Sequence, residues 1–207
     1  CIYAGDQKEK NKNSISKIKK KTKFLAGNSW DYNKILLNIK SSFNQTKISK
    51  KKVVLLDGAG PMFGSDDIAI GKKTFLTVNK WYPSLNLFLD KIEKKANLEV
   101  EIAAHPKTSY KKNDLTFGGR NVVYGKTLEL VRNSDFVITR QSTAISYAIF
   151  FKKPVIFIYS NELKKDSLAM AGVNKISKLL NTIPINIDEN LEDISKYLNV
   201  DKLCYEA

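Results

Sequence analysis

The sequence predicts an α/β protein whose main domain is a parallel, Rossmann-like sheet flanked by helices, preceded by a short remnant of another domain. Three observations lead there. Short, nearly continuous apolar runs at 53–56, 136–139 and 155–159 read as strands buried on both faces. The segments between such runs carry apolar residues at helical spacing. Strand followed mostly by helix recurs about six times, which is the alternation of a parallel sheet.

Taken in order, residues 6–23 (DQKEKNKNSISKIKKKTK) are dominated by Lys and Asn and read as a solvated segment. Residues 28–43 place Trp30, Ile35, Leu36 and Ile39 in a short helical pattern. Residues 47–52 are polar and basic and read as a linker. This gives a boundary between a basic N-terminal segment, 1–52, and the main domain, 53–207. Because the chain begins at Cys1 rather than Met, 1–52 is expected to be the end of a truncated N-terminal domain.

The first strand of the main domain is expected at 53–57. A helix over 79–96 follows, with Trp81, Leu85, Phe88, Leu89, Ile92 and Ala96 on one face and Pro83 tolerated in its first turn. Further strands are expected at 100–104, 121–124, 136–139, 155–159 and 184–187. The expected helices cover 127–133, 143–151, 161–171, 173–180 and 189–198. Ligands in such sheets bind outside the carboxyl ends of the strands, near the point where strand order reverses. The polar turns after Ala104 and Thr139 both follow strands and are expected on that rim.

Composition bounds the function. At 207 residues with 43% hydrophobic content, a full core is available. The net charge of +14 invites a nucleic-acid reading. The basic residues are mostly Lys in a sequence also rich in Asn and Ile, however, and Arg, the preferred base-reading residue, stands at positions 120, 132 and 140. A generically basic surface is favoured, no nucleic-acid partner is expected, and attraction to an anionic bilayer or an anionic substrate stays open. Cys1 and Cys204 with a single His supply neither a zinc set nor a disulfide framework, so no metal site is expected. No apolar run approaches the roughly 18 residues of a spanning helix.

Several motifs carry residue types suited to chemistry. Gly58, Gly60 and Gly64 follow the first strand in a GxGxxxG spacing, one residue longer than the dinucleotide fingerprint, and a plain glycine-rich turn is favoured. Gly125-Lys126-Thr127 lacks the upstream glycine of a P-loop, since position 120 is Arg. His105 ends a predicted strand before Pro106, with Lys107, Thr108 and Ser109 beside it. An imidazole there can donate to a phosphate oxygen and stabilise charge on a departing group. Ser142 and Thr143 stand where a helix begins; capping alone accounts for a Ser there, but the amides of a helix start also suit a phosphate. Arg140 adds a cation and Gln141 an amide donor. Asp57, ending its strand on the same rim, is a candidate general base or sugar-hydroxyl acceptor, whereas Asp66 and Asp67 are candidate caps.

The run from IAAHPKTSY through FGGRNVVYGKTLELVRNSDFVITRQSTAISYAIFFKKPVIFIY resembles the C-terminal domain of GT-B glycosyltransferases of bacterial surface-polysaccharide synthesis. The His-Pro pair, the Ser-Thr pair and the KKPVIFI strand resemble features of sialyltransferases, Kdo transferases and polyol-phosphate transferases. The likeness covers residues 53–200. It implies a nucleotide-sugar-binding domain, a CMP-linked donor before a UDP-linked one, and a glycan or glycolipid acceptor such as lipopolysaccharide or capsule. The sparse cysteines fit a reducing, cytoplasmic setting, and the basic charge leaves open peripheral association at the inner face of the plasma membrane. By this likeness His105, Ser142 and Thr143 would hold the donor phosphate, with His105 catalytic in stabilising the leaving nucleotide. Lys107 and Arg140 join them from the reading of the turns themselves, Asp57 stays the catalytic-base candidate from its place on the rim, and no cofactor or metal is required. One departure stands out. The acidic-acidic-Gly motif that supplies the base in sialyltransferases lies in their N-terminal domain, whereas Leu56-Asp57-Gly58 lies on the first strand of this one. Rival readings are a nucleotide-sugar epimerase of similar fold, which needs no acceptor, and a non-enzymatic basic module binding nucleic acid or anionic lipid, whose binding would be strongly salt-dependent.

Overall fold

A computed structural model describes residues 2–3, 25–26, 30–39, 51–62, 71, 75–110 and 115–189. The chain divides into two compact units, Cys1–Gln45 and Thr46–Ala207. The sequence readings for 6–23, 47–50, Cys1, Cys204, Gly64, Asp66, Asp67 and the last helix beyond residue 189 lie outside the described residues.

In the first unit, Ile2–Tyr3 pairs in parallel with Leu25–Ala26, and a helix spans Trp30–Ile39. Ile35 is buried, while Leu36 and Leu37 are exposed.

The second unit contains β1 (Lys51–Leu56), α1 (Val78–Ala96), β2 (Leu98–Ala103), β3 (Val122–Val123), α2 (Thr127–Asn133), β4 (Phe136–Thr139), α3 (Ile145–Phe150), β5 (Val155–Tyr159), α4 (Ser167–Leu179) and β6 (Ile185–Asn186). Every strand pairing is parallel, in the order β3-β2-β1-β4-β5-β6. The chain winds outward from β1 through β2 to β3, then returns to the other side of β1 for β4. That reversal makes the sheet doubly wound, with its switch point between β1 and β4.

Both faces of the sheet are buried, as the unbroken apolar runs require. Val53, Leu55, Val100, Ile102, Ile138 and Ile158 join one core with Leu85, Phe88, Leu89 and Ile92 of α1. The alternate residues Val54, Leu56, Val137, Thr139, Val155 and Phe157 are buried as well, and α2, α3 and α4 lie against the sheet from that side. Register sets the rim: Leu56 lies beside Ala103 of β2 and Thr139 of β4, so these three strands end level.

Four sequence expectations shift. Lys51 and Lys52 belong to β1 rather than to a linker; the Lys52 N–H donates to Asp135 at 2.7 Å and its ammonium meets Glu101. Pro83 is the sixth residue of α1, in its second turn, so the Asn79 carbonyl loses its helical donor; both residues are exposed and water can replace it. The single helix α4 replaces the two expected at 161–171 and 173–180. It starts after Asp166, whose carboxylate accepts the Ala169 N–H at 3.0 Å, and a short 3-10 turn, Leu163–Lys165, precedes it. Finally, α3 begins at Ile145, two residues beyond the expected start.

Candidate functional site

The carboxyl ends of β2, β1 and β4 present three turns side by side, and all six sequence-predicted site residues fall on them. Asp57 follows β1, His105 and Lys107 follow β2, and Arg140, Ser142 and Thr143 follow β4. β1 stands between the other two, so the His105 turn and the Arg140 turn are about 10 Å apart across two inter-strand spacings.

Asp57 joins the first two turns. Its Oδ1 accepts the Ala59 N–H at 3.0 Å, an Asx-type turn that holds Ala59 at φ +60°. Its Oδ2 accepts the His105 N–H at 3.2 Å and the Tyr110 hydroxyl at 2.9 Å. The group is 8% exposed. A carboxylate this buried needs its hydrogen bonds satisfied within the protein, and three donors on two oxygens do so. Asp57 thus links the turn after β1 to the His105 turn and to Tyr110.

His105 begins a tight turn. Its carbonyl accepts both the Thr108 N–H at 3.0 Å and the Thr108 hydroxyl at 2.7 Å, so that hydroxyl is used within the turn. The imidazole Nδ1 accepts the Lys107 N–H at 3.2 Å. A ring nitrogen that accepts a hydrogen bond carries no proton, so neutral His105 bears its proton on Nε2. That Nε2–H can donate to an anionic oxygen at the rim. Lys107 and Ser109 are exposed beside it.

Arg140 joins the third turn to the first. Its Nη2 donates to the Gly58 carbonyl at 3.1 Å, and its guanidinium carbon lies 6.0 Å from the centre of the Trp81 ring. A Cβ on Gly58 would stand 3.0 Å from Nη2, and one on Gly60 3.2 Å. The glycines of the first turn therefore make room for the Arg140 side chain, which lies where a dinucleotide fold would bring its pyrophosphate. Asp57, Gly58, Gly60, Trp81, Phe117 and Arg140 line a cavity of about 10 Å³, room for about one water.

The Ser142 turn is tighter than the sequence suggested. The Ile145, Ser146 and Tyr147 N–H groups donate to the carbonyls three residues earlier, Ser142, Thr143 and Ala144. Ser142 Oγ accepts the Ala144 N–H at 3.2 Å. The residue at the cap of α3 is Ala144, and the helix runs only six residues. Ser142 and Thr143 thus form the turn leading into the helix, with Thr143 exposed. Gln141 lies across α4, where a Cβ on Gly172 would stand 3.0 Å from its amide nitrogen.

Three contributors escaped the sequence reading. Tyr110 grips Asp57, Trp81 backs Arg140, and Glu162 after β5 accepts the Thr77 N–H at 2.8 Å at the start of α1. A Tyr within the Lys-rich loop after His105 was the one available signal, since aromatics in polar loops often anchor them. Among the described residues no group of three His, Cys, Asp or Glu could hold a metal ion, and no helix is long and apolar enough to cross a membrane.

No family model matches the chain, and no curated protein matches it. Solved structures do. The glycosyltransferase SnogD from Streptomyces nogalater is 10% identical, with a TM-score of 0.47, over 80% of this chain and 40% of its own. Spinosyn rhamnosyltransferase SpnG is 12% identical over 79% of this chain and 43% of its own, at a TM-score of 0.32. A Rossmann-fold NAD(P)-binding family protein from Shigella flexneri is 14% identical over 60% of this chain and 61% of its own, at 0.31. The chain spans about 40% of the length of the two glycosyltransferases named.

Proposed function

We propose that residues 46–207 bind the donor in a glycosyltransferase that moves a sugar from a nucleotide, CMP before UDP, to a growing surface glycan. The observation that carries this reading is the switch point itself: His105 and the Arg140–Thr143 turn flank β1 on the carboxyl rim. Such a crevice is where doubly wound sheets take nucleotides. Arg140 over the first glycine turn disfavours the extended dinucleotide mode and leaves a single nucleotide phosphate as the better guest.

In this scheme the His105 Nε2–H and the Arg140 guanidinium take the charge that develops on the phosphate as the sugar–oxygen bond breaks. Ser142, Thr143 and Lys107 add donors around the same oxygens. Asp57 keeps the His105 and Ala59 turns in place. The attacking acceptor hydroxyl gives its proton to a base outside this set.

A thermal-shift panel of CMP, CDP, UDP and GDP tests the reading. A specific nucleotide raises the melting temperature in proportion to the logarithm of its concentration, and His105→Ala and Ser142→Ala each reduce the shift. Equal, weak responses to all four nucleotides would count against a nucleotide site and for a merely basic surface.

A further inference from the structure

Asp57 ties the Tyr110 hydroxyl to the backbone of the turn that carries the His105 ring. The Tyr110 hydroxyl and the His105 N–H share one oxygen, Asp57 Oδ2. Tyr110 is itself held on several sides. Its N–H donates to the Tyr124 hydroxyl at 2.6 Å, and its ring meets Phe117 edge-on with centroids 5.0 Å apart. The Tyr82 hydroxyl lies 3.4 Å from that of Tyr110. Burial, with the Asp57 charge adding to it, pushes the Tyr110 phenol well above its usual range, so the group stays a proton donor. Beyond Asp57, the His105 carbonyl closes the turn through Thr108, and within that turn the Lys107 N–H meets Nδ1.

We propose that Tyr110 is a positioning residue for His105: acting through Asp57, it holds the 105–108 turn in the form that keeps the ring proton on Nε2. A ring held this way offers one donor and no lone pair at Nε2. That suits an anionic oxygen and not a metal cation. The service of that donor to a nucleotide phosphate rests on the function proposed above; the relay from Tyr110 to the ring does not.

His105 is the only histidine, so ¹⁵N NMR of the whole chain reports one imidazole without ambiguity. The wild type should show the Nε2–H tautomer at a pH where the ring is neutral. Tyr110→Phe keeps the packing on Phe117 but removes the hydroxyl; it should give a mixture of tautomers and lower CMP affinity about fivefold, the scale of one hydrogen bond. Ser177→Ala removes a buried hydroxyl that donates to the Asn174 carbonyl within α4, outside this network, and should match the wild type in both readouts. Should Tyr110→Phe fold poorly, Thr108→Val loosens the same turn from an accessible position and should shift the tautomers in the same direction. Ring signals unchanged by Tyr110→Phe, or equally changed by Tyr110→Phe and Ser177→Ala, would overturn the proposal. A ring that responds to Tyr110→Phe in a chain that binds no CMP supports the positioning role and removes the nucleotide reading.

Discussion

Removing a buried carboxylate that accepts three hydrogen bonds leaves three donors without a partner. Asp57→Ala should therefore destabilise the second unit by about 3 kcal/mol in urea unfolding, since each orphaned group costs on the order of 1–3 kcal/mol and some will find water. Tyr110 gives this network a pH signature. Its phenol titrates higher when folded than the unfolded value near 10, so above that pH the unfolded chain binds fewer protons and stability falls as pH rises. Tyr110→Phe should make that alkaline fall shallower, by up to about 1.4 kcal/mol per pH unit. Gly58→Ala is a gentler probe. Its new Cβ would stand 3.0 Å from the flexible end of Arg140 and 3.4 Å from the Gln141 carbonyl. The close contact is the side chain that can move, so stability should change by under about 1 kcal/mol while Arg140 leaves the Gly58 carbonyl and nucleotide affinity drops. The sequence showed that Asp57 and His105 end strands, which was enough to put both on the rim. It could not show what the Asp57 oxygens touch, because His105 and Tyr110 lie 48 and 53 positions away.

The strands and most helices could be read from apolar runs and helical spacing because burial acts on every residue of such an element. Thr127–Asn133, Phe136–Thr139 and Val155–Tyr159 were legible to the residue. Ends decided by a few specific bonds were not. The start of α3 moved because its first turn is closed by bonds three residues apart, which local propensity does not distinguish from helix. The two helices expected at 161–171 and 173–180 leave out Gly172, which the structure places within α4 for the close approach of Gln141. The start of α1 rests on a distant partner, as Glu162 accepts from both the N–H and the hydroxyl of Thr77. Glu162→Ala should cost about 1 kcal/mol, the scale of a lost helix cap, measured by urea denaturation. Inside α1, Leu89 is completely buried, and Leu89→Ala should cost about 3 kcal/mol.

At the scale of the molecule, alternation of strand and helix implied a parallel sheet, but strand order comes only from pairing. The order β3-β2-β1-β4-β5-β6 turns a list of polar turns into a site, because it puts the His105 and Arg140 turns on either side of β1. The chain's net charge of +14 offers a second explanation for any anion binding; such binding would be strongly salt-dependent and indifferent to the identity of the base. An equilibrium titration of CMP into the wild type and into His105→Ala, at physiological salt, separates the two most directly. Saturable binding of CMP, weakened at least about tenfold by loss of the imidazole, is the result the donor-site account predicts. Binding that is absent, or that His105→Ala leaves unchanged, would contradict it.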